Sequence, residues 1–185
     1  MFNWLFKRTL DKWLDNSKAA QSCDWMAPTL AYEDLGDNRY QVLENWWCQT
    51  GLVGYAFQIR RGDFLAAQMD NLGLLTVFAG DTWDGPSDGP LIFQTRNTPD
   101  SMKGSLVHDK LYEAGRDGKL PNTGDMRRQC DDIFYKINRQ SGMYRWRARM
   151  WWAAVRQAAN GSYCPQPRRM FLVGKSAPSD EAKVA

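Results

Sequence analysis

Residues 80–90 read GDTWDGPSDGP, with three glycines, two prolines and three aspartates in eleven positions. No regular element tolerates that density of breakers, so the chain must run here through tight turns that project acidic side chains. The stretch divides the sequence into halves of different periodicity. Upstream, apolar residues alternate; downstream, they recur every three or four positions.

Upstream, Tyr40, Val42, Glu44 and Trp46 share one parity, followed by Cys48, and Tyr55, Phe57 and Ile59 alternate with Ala56, Gln58 and Arg60. Arg61-Gly62 turns the chain into Phe64–Met69, and Asn71–Gly73 turns it again into Leu74–Ala79. This pattern predicts three or four short strands in a small antiparallel β-meander. Ahead of it, residues 16–38 read as a polar connection broken by Pro28 and Gly36. Residues 2–15 place Phe2, Leu5, Phe6, Leu10, Trp13 and Leu14 on one side of a predicted amphipathic helix.

Downstream, Thr98 and Pro99 form a good helix start, and a helix is expected to run to about Ala114 with Gly115 as its cap. Its apolar side would hold Met102, Leu106 and Leu111. A second helix is expected over about 125–140, burying Cys130, Ile133, Phe134 and Ile137, with Gly142 ending it. A third, over about 144–159, carries the run YRWRARMWWAAVR. There Trp146, Met150, Ala153 and Ala154 make an apolar stripe, with the arginines largely outside it. Strands first and helices afterwards predict an α+β fold, with the acidic glycine and proline loop between sheet and helices. The expected division is an arm and connection over 1–38, a domain over 39–164, and an irregular, disordered tail over 165–185.

At 185 residues the chain can bury a substantial core. Nine tryptophans exceed ordinary usage and point to half-buried seams or a wet interface. No run approaches the roughly 18–20 apolar residues of a spanning helix, and the first dozen positions lack a signal-peptide pattern. An intracellular or particle-associated location is therefore expected. Cys23, Cys48, Cys130 and Cys164 lie far apart, which disfavours a zinc site and predicts buried thiols. Residues 1–100 carry eight basic and thirteen acidic side chains, whereas residues 124–169 carry ten basic and three acidic. Such a dipolar chain fits either docking on an acidic surface or two solvated faces of opposite sign.

Chemistry concentrates in SLVHDKLY, residues 105–112, around His108, the single histidine. His108 and Asp109 diverge by about 100° on a helix, so the ring can act as a base and the carboxylate as a cation ligand. Tyr112 lies one turn beyond His108 on the same face. From the run CDDIF on the next helix, Asp131 can meet the outward nitrogen of His108, fix its tautomer and stabilise its imidazolium. Asp84 and Asp88 precede glycines, and with Asp109 they form the expected oxygen ligands for a divalent cation such as calcium. A histidine hydrogen-bonded for stability and a loop of Asx turns are the alternatives. Arg145 and Arg149 are interleaved with aromatics and are candidate binding residues. The helical stripe nonetheless reads as core-facing, which argues against nucleic acid.

The run AGDTWDGPSDGP, then TPDSMKGSLVHDKLY, then RQCDDIF, then an arginine-rich helix ending in AAVR resembles a phage and prophage family known as domain of unknown function 1353. The resemblance covers roughly residues 40–160 and implies a phage genomic setting, hence the host cytoplasm or the virion. The His-Asp pair with a downstream helical aspartate is also similar to the secreted phospholipases A2. That similarity implies His108 as base, Asp109 as calcium ligand, Asp131 as supporting acid, and Trp83–Gly89 in place of the glycine-rich loop. Three functions follow as expectations. One is a virion-associated or accessory protein that docks on another protein through its tryptophans and N-terminal arm; the arm (2–14) could also touch a membrane surface. The second is a cation-dependent ester hydrolase using His108 and Asp131. The third is an inhibitor of a host factor acting through the basic third helix.

Overall fold

The computed structural model describes residues 28–86 and 98–158, which hold seven strands followed by three helices. The fold is α+β, as expected. Its strands form two antiparallel sheets rather than one meander. Strands β1 (Tyr32–Gly36), β2 (Arg39–Val42) and β7 (Thr82–Trp83) make the first, in the order β1-β2-β7. Strands β3 (Trp46–Gln49), β4 (Phe57–Arg61), β5 (Phe64–Met69) and β6 (Leu74–Val77) make the second, in the order β3-β6-β5-β4.

Alternation sets the register of the second sheet. Trp46 pairs with Val77 and Cys48 with Leu75, all four buried, while Trp47 pairs with Thr76 and is exposed. A shift by one residue would expose the whole set. The first sheet departs from the sequence reading twice. Strand β1 lies within the expected polar connection; four of its five residues are exposed, so it carries no alternation to read. Strand β7 falls inside the breaker-rich stretch, where Tyr40 pairs with Trp83. Burial of an indole against Tyr32 and Tyr40, with ring centroids 5.9 and 5.4 Å away, holds it there.

Helices α1 (Pro99–Arg116), α2 (Gly124–Gln140) and α3 (Arg145–Ala158) follow. Thr98 caps α1 with extended backbone and Pro99 begins it. The helix runs past Gly115 to Arg116, and the left-handed position falls on Gly118. There the Gly118 N–H donates to the Gly115 carbonyl and the Lys119 N–H to that of Ala114. Helix α2 starts at Thr123, whose hydroxyl accepts from the Met126 N–H at 3.1 Å.

Helix α1 is the centre of the molecule. Twelve of its eighteen residues are buried, on all sides, because sheet residues cover one flank and α2 the other. The expected apolar side of Met102, Leu106 and Leu111 is buried, and so are Ser105, His108, Lys110 and Tyr112. A polar group inside such a helix must find a partner or lose the free energy of its hydration. The α1–α2 crossing is close at Gly104, where an added Cβ would lie 2.0 Å from Asn138 Oδ1.

Helix α3 turns a different face inward from the one expected. Trp146 and Met150 are exposed, while Ala148 and Trp151 are buried with Phe134, Tyr135 and Met143 in a second, smaller cluster. The smaller cluster explains the reversal, since it joins α3 to α2 and not to the sheets. The N-terminal arm, the tail and Cys23 and Cys164 lie outside the described residues. Cys48 and Cys130 are buried, as expected.

Candidate functional site

Helix α1 carries polar groups to opposite sides. His108 and Lys110 are two residues apart, so their side chains leave the helix about 200° apart. Lys110 turns to the sheets, where its ammonium pairs with Asp81 and donates to the Thr82 carbonyl at 3.2 Å. Both charged side chains are 1 % exposed. Arg61 of β4 closes this cluster, 3.8 Å from Asp81 and bonded to both carboxylate oxygens of Glu113. The first aspartate of the breaker-rich stretch is therefore engaged in a structural ion pair instead of projecting to solvent.

His108 turns to α2. Its Nε2 lies 3.0 Å from Asp131 Oδ1, and the Tyr112 hydroxyl donates to the same oxygen at 2.6 Å. The other oxygen, Oδ2, accepts from Arg156 of α3 at 3.0 Å. Asp131 is 0 % exposed, so its carboxylate is held by donors instead of water. Burial and the adjoining Asp131 charge raise the Tyr112 phenol above its ordinary range, which keeps it a donor. A carboxylate only accepts, so Nε2 is the donor of this bond, and in a neutral ring the lone pair then falls on Nδ1. The ring packs at 4.0 Å from that of Tyr112 and 5.0 Å from that of Phe134, and 10 % of the side chain remains accessible.

The three residues His108, Tyr112 and Asp131 thus meet as their helical spacing predicts. Asp109 diverges from them and is partly buried. Burial lifts its carboxyl to about 7, with His108 and Lys110 opposing and the Asp84 charge adding to the rise. Asp84 is exposed, and Asp88 lies outside the described residues. No group of three cation-ligating side chains occurs among the described residues. Of the three carboxylates expected at a cation, Asp109 and Asp84 are therefore the two that the described residues include. Gly85 does adopt a left-handed φ of +69°. It places the backbone against the Tyr40 ring, which leaves no room for a Cβ.

Trp83, expected at a binding loop, is buried, and its indole N–H donates to the Ser105 hydroxyl at 3.2 Å. Arg145 is exposed and Arg149 half-buried on α3. Two site residues escaped the sequence reading. Arg156 belongs to the arginines expected largely outside the apolar stripe, and Lys110 carries no expected role. A signal for burial around Lys110 is present: Leu106, Val107, Leu111 and Tyr112 point in several directions around the helix, and apolar residues on every side mark a buried helix.

Residues 74–155 match the family model described as protein of unknown function (DUF1353). No curated protein and no solved structure matches the chain. The matched segment spans β6, β7, α1, α2 and all but the last three residues of α3, and so contains His108, Tyr112 and Asp131. Through that segment, 82 of the chain's 185 residues, the chain is similar to the DUF1353 family.

Proposed function

We propose that the protein is an ester hydrolase in which His108 activates water. The observation that carries this reading is the Asp131 carboxylate 3.0 Å from His108 Nε2, which leaves the Nδ1 lone pair for the proton of a water molecule. In the step envisaged, Nδ1 takes that proton while the water oxygen bonds to the ester carbonyl carbon. The carbonyl π pair moves to oxygen. When it returns, the bond to the alcohol oxygen breaks and the imidazolium proton passes to the leaving alcohol. Asp131 stabilises the imidazolium through Nε2, and Tyr112 holds the carboxylate in place. No step is routed through a cation.

The test is hydrolysis of a soluble nitrophenyl ester and of phospholipid vesicles, with calcium or with a chelator, comparing wild type with His108→Ala. A general base contributes about 10²- to 10⁴-fold, so the variant should lose at least about 100-fold. Equal background rates in both proteins, under every condition, would end the hydrolase reading.

A second reading is favoured by the outer side of α3. Tyr144 and Trp146 are 74 % and 56 % exposed beside Met150. Together with the resemblance to phage sequences, this supports a component that docks on a protein of the phage particle. Incorporation into particles should fall at least about tenfold in a Tyr144→Ser, Trp146→Ser double variant that keeps its circular dichroism. Full incorporation of that variant would exclude this face as the dock.

A further inference from the structure

Arg156 stands out because it reaches the site from an element the chemistry does not otherwise use. It lies near the end of α3, its guanidinium bonds Asp131 Oδ2, and its own carbonyl accepts from Arg127 of α2 at 2.7 Å. We propose that Arg156 is a positioning residue for the His108–Asp131 pair. A carboxylate can rotate about its Cβ–Cγ bond and offer either oxygen, or share itself between them, as donors compete for it. With Arg156 on Oδ2, the carboxylate plane is fixed and Oδ1 alone is presented to His108 and Tyr112. The guanidinium is suited to the task because it is planar, always charged, and directional.

The arrangement also places a permanent cation on the far side of a fully buried carboxylate, so that the aspartate charge is compensated whether or not the imidazole carries a proton. Lys110 cannot substitute, because it leaves α1 on the opposite side. Trp152 is a neighbouring link of another kind. Its indole N–H donates to Asp132 Oδ1 at 3.0 Å, which ties α3 to α2 without touching Asp131. The pair Arg156 and Trp152 therefore separates two effects: holding the carboxylate, and holding the helix. This inference concerns the base named under the hydrolase reading and rests on that reading for its catalytic meaning.

Because His108 is the single histidine, its imidazole gives one set of nitrogen and proton resonances. In wild type, proton–nitrogen correlation at pH 7.5 should show the Nε2–H tautomer and a downfield, slowly exchanging Hε2 bonded to Asp131. In Arg156→Gln that proton should exchange at least about tenfold faster and the tautomer should become mixed, while Trp152→Phe keeps the wild-type signature. Arg156→Lys should retain the tautomer with intermediate exchange, and it is read in place of Arg156→Gln should the latter fail to fold. An unchanged signature in Arg156→Gln overturns the proposal. Equal loss in Arg156→Gln and Trp152→Phe also overturns it, because seating of α3 would then be the cause. In the fallback, exchange in Arg156→Lys equal to wild type has the same meaning. None of these readouts requires turnover, so absence of hydrolysis with the expected resonances would sink the hydrolase reading and leave the role of Arg156 standing.

Discussion

The two flanks of α1 hold buried polar clusters of similar size and different kind. On the sheet side, Lys110, Asp81, Arg61 and Glu113 are strong ions matched with opposite charges. On the α2 side, a fully buried carboxylate is surrounded by a phenol, an imidazole and a guanidinium. One of those donors is an imidazole that meets the carboxylate through Nε2 alone. Burial alone therefore does not mark a functional group. What separates the two flanks is whether a partner can exchange a proton without breaking the cluster.

The largest effect is expected on the sheet side. Lys110→Met keeps the apolar stem and removes the charge, leaving Asp81 buried with only the longer contact to Arg61. Removing one member of a buried pair costs about 3–5 kcal/mol. Because Arg61 still compensates part of the charge, about 3 kcal/mol is expected, read as a fall in the urea midpoint. The His108 resonances should not move. If they do, the two clusters are coupled through α1 and the contrast drawn between them fails. If the midpoint is unchanged, the Lys110–Asp81 pair is not a structural tie.

The same contrast explains what could be read from residues alone. Strands β4, β5 and β6 were legible because alternation and turn residues fall together, as in Phe57 and Ile59 before Gly62. The meeting of His108, Tyr112 and Asp131 was legible too, since a four-residue spacing and an antiparallel neighbouring helix suffice to bring them together. Strand β1 was not legible, because an exposed strand has no buried parity. Strand β7 was not, because its two residues are held by the long-range packing of Trp83 on Tyr32 and Tyr40. The inner face of α3 was misread for a related reason. Trp146 and Trp151 look equivalent in sequence, and only the position of Phe134 on α2 decides which is buried. Arg156 and Lys110 share that limit: which charge meets which depends on the register between distant elements, and a single sequence does not encode that locally.

A smaller, pH-dependent effect sharpens the comparison on the helix side. Asp132, next to Asp131 on α2, is 3 % exposed. Burial raises its carboxyl to about 6, with the Trp152 hydrogen bond opposing and the Asp131 charge adding to the rise. The unfolded chain releases that proton near the ordinary aspartate value of about 3.9, whereas the folded chain holds it to about 6. Between those values the folded state binds more protons, so stability falls as pH rises through the window and stays lower above it. Asp132→Asn keeps an oxygen for the Trp152 N–H and removes the charge. It should therefore raise stability by on the order of 2 kcal/mol at pH 8, where about 1.4 kcal/mol attends each pKa unit, and change little at pH 4. Thermal melts of both proteins across pH 4–8 measure the difference directly. A variant curve parallel to wild type would mean that Asp132 titrates alike in both states. The buried carboxyl beside Trp152 would then add no pH dependence to the helix side of α1.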